Sequence, residues 1–356
     1  MFPRRLLLAL GLLVIAAALA TWQIAPRLLP GLRPPAPAAR AGLPPLDRVA
    51  AWTGSRPLTA DSLRGRAVVL LVWCDTDPRS LAALPVLEAW HRAYAPLGAR
   101  VFAVHAPEFS FAADTAVTFG LVRGLGLTLP VASDPVNSVQ SALGGATDGP
   151  HLIVAGEDGV LVVDTVGALG AGELALRQWA ARAHPGASPP PPIAIAPPVR
   201  TRIVYLGAGR VGNGPLRGLP GGHEENFTAQ FRYQEQGGDR TPYPVGSWRT
   251  GTDGLTASRG GAANFVAIRY SAGRAGVVVS RAPGANTRLW ILRDDQWPRA
   301  SDRGDDVSVD GRGASYLLVN APGLYWIDRG EGERVLKLSP EMPGVTLHAF
   351  VFEDAR

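Results

Sequence analysis

Residues 68–90 read VVLLVWCDTDPRSLAALPVLEAW, and their pattern sets the fold of the first half of the chain. Val68 to Trp73 continue an apolar run that begins at Ala67, as expected of a strand buried on both faces. Leu81, Leu84, Leu87 and Trp90 then recur at helical spacing, which predicts a helix over 78–95. Asp77 stands where its carboxylate can cap that helix, and Pro78 suits the first helical position. Cys74 lies just after the strand and is the one cysteine of 356 residues. An intramolecular disulfide therefore cannot form.

The same alternation continues outward. A second apolar strand is predicted at 100–105 (RVFAVH) and a helix at 112–125. Residues 151–155 and 159–164 flank the turn Gly156-Glu157-Asp158-Gly159, a hairpin signal, and a last helix fits 171–183. This order predicts an α/β domain over 46–186. The tract from Ser188 to Pro198, six of its eleven residues proline and the rest mostly isoleucine and alanine, favours polyproline II and packs poorly into a core, so 187–199 reads as a linker. From 200 to 356 short strand-like stretches alternate with Gly, Pro, Asn and Asp, with no convincing helix. They include 227–233, 264–270, 276–280, 287–292, 314–319, 333–338 and 345–352, which suggests roughly eight strands in an all-β sandwich of jelly-roll type.

The N-terminus reads as a membrane segment. Arg4 and Arg5 precede a run from Leu6 to Ala25 without charge, about 20 residues, the length of a bilayer-spanning helix. The arginines favour the cytoplasmic side, which exports the rest of the chain. Residues 1–25 are thus an uncleaved single-pass anchor or, with Ala18-Leu19-Ala20 as a cleavage site, a secretory signal peptide. The Pro/Ala-rich residues 26–45 form a semi-extended spacer. The net charge of +5 gathers into no basic stripe, which argues against nucleic acid as a partner. The six histidines show no metal-ligand spacing and no phosphate-binding loop is present, so neither a metal nor a cofactor is expected.

Several stretches, in order, resemble one family. They are Val69–Trp73, Leu84-Pro85 with Trp90, Ala103-Val104-His105-Ala106-Pro107-Glu108-Phe109, Leu129-Pro130-Val131-Ala132-Ser133-Asp134 and Gly149-Pro150. The chain from 46 resembles the thioredoxin-like (redoxin) ectodomain of DipZ-type bacterial proteins of cytochrome c biogenesis and thiol–disulfide exchange. Tyr205-Leu206-Gly207, Trp248, Tyr325 and Pro343-Gly344-Val345 are similar to the carbohydrate-binding-module-like sandwich that follows it there. The resemblance places the family's Cys-x-x-Cys on Asp77-Pro78-Arg79-Ser80 and its cis-proline at Pro150. Asp77 keeps the helix start and removes the nucleophile, while the Ser80 hydroxyl titrates far too high for exchange, so a redox-inactive domain is implied.

The resemblance also implies a peptide groove beside Trp73, Pro150, His105 and Glu108. Cys74 reads either as a small apolar residue or as the thiol of a mixed disulfide with a partner. Trp248, Trp297 and Trp326 are candidates for a glycan-stacking platform, whereas Trp290 reads as core. The leading expectation is an envelope binding or scaffold protein with an extracytoplasmic protein or glycan ligand. The alternative is an accessory of extracytoplasmic thiol–disulfide exchange or cytochrome c maturation. A thiol-independent enzyme using Asp77, His105 or Glu108 is the third reading.

Overall fold

The fold is described from a computed structural model, for residues 42–145, 148–208, 228–231, 240–282, 284 and 286–355. The expected anchor or signal segment 1–25 and most of the spacer lie outside these residues. Among the described residues no helix is long and apolar enough to cross a membrane.

The first domain is a six-stranded sheet flanked by helices. Its elements are β1 (Ala51–Thr53), α1 (Ala60–Leu63), β2 (Val68–Trp73), α2 (Pro78–Tyr94), β3 (Arg100–His105), α3 (Thr115–Gly124), β4 (Val131–Ser133), α4 (Ser138–Ala142), β5 (His151–Ala155), β6 (Leu161–Val166) and α5 (Leu169–Ala183). The strand order is β1-β4-β3-β2-β5-β6. Strand β2 lies at the centre, parallel to β3 and antiparallel to β5, and each of its six residues is buried. That explains why its sequence is apolar without alternation. Helix α2 buries Leu84, Leu87 and Trp90 against the sheet. Helix α5 approaches it closely at Gly172, where an added Cβ would stand 2.7 Å from the Trp90 ring. The predicted helix at 112–125 divides into a 3₁₀ turn, Ser110–Ala113, and α3, because Asp114 caps the helix by accepting from the Ala116 amide at 2.9 Å. The short elements β1, β4, α1 and α4 carry too few residues to show a period.

The second domain contains twelve strands rather than about eight. They are β7 (Thr201–Tyr205), β8 (Thr228–Phe231), β9 (Tyr243–Thr250), β10 (Leu255–Ala257), β11 (Phe265–Ser271), β12 (Arg274–Ser280), β13 (Thr287–Arg293), β14 (Val307–Val309), β15 (Ser315–Val319), β16 (Gly323–Arg329), β17 (Glu333–Pro340) and β18 (Thr346–Glu353). One layer follows β14-β15-β13-β17-β11-β9, and the other follows β9-β10-β18-β12-β16, with β7 on β18 and β8 on β9. Strand β9 belongs to both. Its residues 243–245 pair with β11, and 246–250 pair with β8 and β10. The change of layer occurs at Gly246, whose φ is +94° and where an added Cβ would stand 2.9 Å from Asn264 Cα. Asn264 Oδ1 accepts from the Ser247 amide there. Trp248, Ile268, Phe350 and Phe352 fill the space between the layers.

The tract 187–199 does not stand away from the first domain as an independent spacer. Ile193 and Ile195 pack on that domain's core, and the Ile193 amide donates to Glu173 Oε1 at 3.4 Å. Arg177 donates to the Pro190 carbonyl at 2.7 Å. Two isoleucines set at alternate positions in the tract give an extended chain one apolar side, and that side is half-buried against the first domain.

Candidate functional site

The site lies where β2 ends and α2 begins. Asp77, 5% exposed, takes extended backbone angles and accepts from the Arg79 amide at 3.0 Å, which caps α2. The same carboxylate accepts from Arg79 Nε at 2.9 Å and from the Ser80 hydroxyl at 3.2 Å. Arg79 reaches onward to the Asp148 carbonyl at 3.1 Å and its carboxylate at 2.7 Å, tying the helix start to the loop before Pro150. The Arg79 guanidinium is held above its usual range because the attraction of Asp77 and Asp148 outweighs its burial.

Cys74 faces an acidic neighbourhood. Its Sγ stands 2.9 Å from Thr76 Oγ1, 3.7 Å from Glu108 Oε2 and 3.9 Å from Asp75 Oδ1. Burial, then the charges of Glu108 and Asp75, push the thiol well above its ordinary range. A thiolate, the reactive form in exchange, is therefore disfavoured at neutral pH. Glu108 also accepts from Thr76 Oγ1 at 3.1 Å and from the Tyr205 hydroxyl of the second domain.

Two spaces adjoin these residues. A small cavity of about 50 Å³ is walled by Trp73, Cys74, Asp77, Ser80, Glu108 and Tyr205. A larger open groove of about 1200 Å³ runs from the first turns of α2 past Pro150 and the β6–α5 turn to Ala194–Tyr205. The residues expected in the groove divide between them. Pro150 and Glu108 line it. Trp73 is buried and its side chain belongs to the small cavity beneath. His105 is fully buried and lines neither, because its ring packs edge-on against Trp73, with Nε2 3.3 Å from Asp75 and Nδ1 hydrogen-bonded to Thr118 at 3.2 Å. An inward position on the central β3 leaves it no route to the surface. The Gly149–Pro150 bond is trans, unlike the cis bond that the resemblance implied.

The expected glycan platform also needs correction. Trp248 is fully buried between the layers and donates to the Val245 carbonyl at 2.9 Å, so it offers no surface. Trp326 is covered by the Arg274 guanidinium, 3.7 Å from its ring centroid. Trp297 is 45% exposed and stands edge-on to Trp290, ring centroids 6.2 Å apart. Trp290, read from the sequence as core, faces outward with Tyr316 beside it at 5.6 Å. The signal lay in the alternation of Leu289, Trp290 and Ile291, in which the two aliphatic residues point inward.

Sequence reasoning also missed the joint between the domains. Phe109 and Phe111, just after Glu108, pack against Tyr205 and His348, with Phe109 at 6.2 Å from Tyr205 and 5.0 Å from His348. The Ser110 amide donates to Asp253 of the second domain at 2.7 Å. The stretch Ala103–Phe111 thus reaches from the sheet to the sandwich.

No family model matches the chain. Protein DipZ of Mycobacterium tuberculosis, and likewise that of Mycobacterium bovis, is 26% identical over 270 residues, covering 70% of this chain and 36% of the relative. The first domain is thus similar to the thioredoxin-like part of these DipZ proteins. The chain spans about a third of the length of these DipZ relatives. Among solved structures, a thiol-disulfide isomerase from Corynebacterium glutamicum is 18% identical, with TM-score 0.34, over 40% of this chain and 96% of its own. StoA from Bacillus subtilis is 16% identical, with TM-score 0.30, over 40% of this chain and 96% of its own. At the two positions where the DipZ resemblance places redox cysteines, this domain carries Asp77 and Ser80, joined by a hydrogen bond.

Proposed function

We propose that this chain is an extracytoplasmic binding component of thiol–disulfide or cytochrome c maturation machinery that holds a polypeptide without exchanging disulfides with it. The observation that carries the reading is the bonded Asp77–Ser80 pair at the start of α2. The helix N-terminus that would stabilise a thiolate there instead receives a carboxylate cap. Cys74 is a poor substitute, since it sits among Glu108 and Asp75, which oppose its ionisation. The groove beside Pro150 stays open and has room for an extended chain. Similarity to DipZ supports an envelope location, with residues 1–25 as the anchor or signal.

Reduction of insulin disulfides by the purified protein tests this. The wild type is expected to be inactive, and Asp77→Cys with Ser80→Cys is expected to gain activity because the helix start is retained. Wild-type activity that disappears in Cys74→Ala would overturn the reading and make Cys74 the reacting thiol.

A second reading concerns the sandwich alone. Trp297, 45% exposed and edge-on to the half-buried Trp290, supports glycan stacking, since a rigid exposed ring suits a pyranose face. Tryptophan fluorescence titrated with cell-wall oligosaccharides checks it. A saturable change lost in Trp297→Ala supports the reading, and a flat titration overturns it.

A further inference from the structure

The wall of the large groove has free backbone and unbalanced charge, and these two features together specify an occupant. One wall is the extended segment 193–199. Ile193 and Ile195 face the first domain, while Ala194 and Ala196 are exposed. The amides of Ala194, Ile195 and Ala196 make no hydrogen bond among the described residues. Across the groove stand Ala82, Val86, Val166 and Leu169, which are apolar and small to medium in size. A hydrocarbon chain in this space would leave the 194–196 amides without partners, at a cost that a peptide avoids. An extended peptide supplies both carbonyls for the amides of Ala194 and Ala196, which point to the same side of an extended chain, and side chains for the apolar wall.

Charge decides the class of peptide. Arg79, Glu108, Asp148, Arg200, Arg202, Arg274 and Glu353 are the charged residues of the lining. Arg79 is paired with Asp77 and Asp148, and Arg274 with Glu353 at 2.5 Å. Glu108 is bound by Thr76 and Tyr205. Arg200 and Arg202 are both exposed, and neither has an acidic partner among the described residues. Arg200 immediately precedes β7 and Arg202 lies within it, so the two, two positions apart, share one face of the extended chain.

We propose that this groove takes an extended, acidic segment of polypeptide, with its backbone paired to the amides of Ala194 and Ala196 and its carboxylates held by Arg200 and Arg202. The proposal rests on the peptide-holding reading above and names the substrate class of that site. Guanidinium groups bind carboxylates through paired donors, so a spacing of two in the peptide would match the spacing of two in β7.

Fluorescence polarisation with the purified protein and three labelled peptides of about ten residues, a length of roughly 33 Å when extended, tests it. The peptides share alternating valines and carry aspartate, serine or lysine between them. The acidic peptide is expected to bind at least about 10-fold tighter than the serine peptide, with affinity falling as salt rises. Arg200→Glu with Arg202→Glu should abolish that preference, and the milder Arg200→Gln should reduce it. Ala196→Pro, which removes one free amide in a segment already rich in proline, should weaken acidic and serine peptides alike. Equal binding of all three peptides overturns the acidic preference and leaves the peptide-holding reading in place. Binding that none of these substitutions changes places the peptide elsewhere and overturns the proposal. Absence of binding by any peptide overturns both.

Discussion

At the scale of the residue, Asp77 holds the start of α2 together. Asp77 accepts from the Arg79 amide, the first that α2 carries, and pairs with the Arg79 guanidinium, so replacing it removes both a cap and an ion-pair partner. Asp77→Ala is expected to cost about 1 kcal/mol through the lost cap, while Asp77→Asn retains most of the stability. Urea denaturation of the two variants measures the difference. Glu88 shows the opposite balance between burial and bonding. Burial pushes its carboxyl up, but donors from Thr128 and Leu129, with Arg92, outweigh this and leave it below the usual glutamate value. A lowered folded pKa means stability that is complete above the ordinary glutamate value and is lost as pH falls through the folded one. Glu88→Gln is expected to cost about 2 kcal/mol at neutral pH, from hydrogen bonds to a charged group, and to flatten the stability profile on the acid side. Stability curves from pH 2 to 7 check both the size and the sign.

At the scale of the element, position within a sheet explains which motifs were legible. Strand β2 and helix α2 show their periods because one is central and the other lies against it. The changeover in β9 left only a glycine as its trace. Gly246 combines a left-handed φ of +94° with neighbouring backbone that an added Cβ would meet at 2.9 Å and 3.0 Å. Gly246→Ala is expected to destabilise the protein by roughly 1–3 kcal/mol from backbone strain alone. Thermal unfolding measured beside Gly284→Ala controls for the residue type. Gly284 is also left-handed, at φ +87°, but has open space around it.

At the scale of the whole molecule, residues Pro44–Arg356 form one compact unit. The two domains meet through Phe109, Phe111, Tyr205 and His348, supported by the Ser110–Asp253 hydrogen bond. Phe109 is 2% exposed, so truncation removes a packed ring rather than a surface one. Phe109→Ala is expected to cost about 3–5 kcal/mol and to split a single calorimetric transition into two. A variant that still unfolds in one step, at nearly the wild-type temperature, would show that the joint does not couple the domains. The second domain carries its own buried charge network, in which Arg334 donates to Asp328 at 2.6 Å and Arg293 lies 3.5 Å from the same carboxylate. Removing one partner strands a buried charge, so Arg334→Met is expected to destabilise the domain by about 3–5 kcal/mol. Chemical denaturation followed by the fluorescence of the core residue Trp248 reports it.

The sequence by itself determined the alternating α/β order of the first domain, the capped start of α2 and the loss of a cysteine pair. Each of these depends on neighbours within a few residues, where periodicity and capping operate. It also supplied the all-β character of the second domain but undercounted its strands, because β10 and β14 are too short to alternate. Only the tertiary structure decided which tryptophans are exposed, since Trp248 and Trp290 both sit within strands and differ in the side of the sheet they face. It alone turned the proline tract into a groove wall, through two isoleucines that find an apolar surface far away in sequence. It alone made Glu108 and Phe109 part of a joint, because their partners Tyr205 and His348 are brought to them by the packing of one domain on the other.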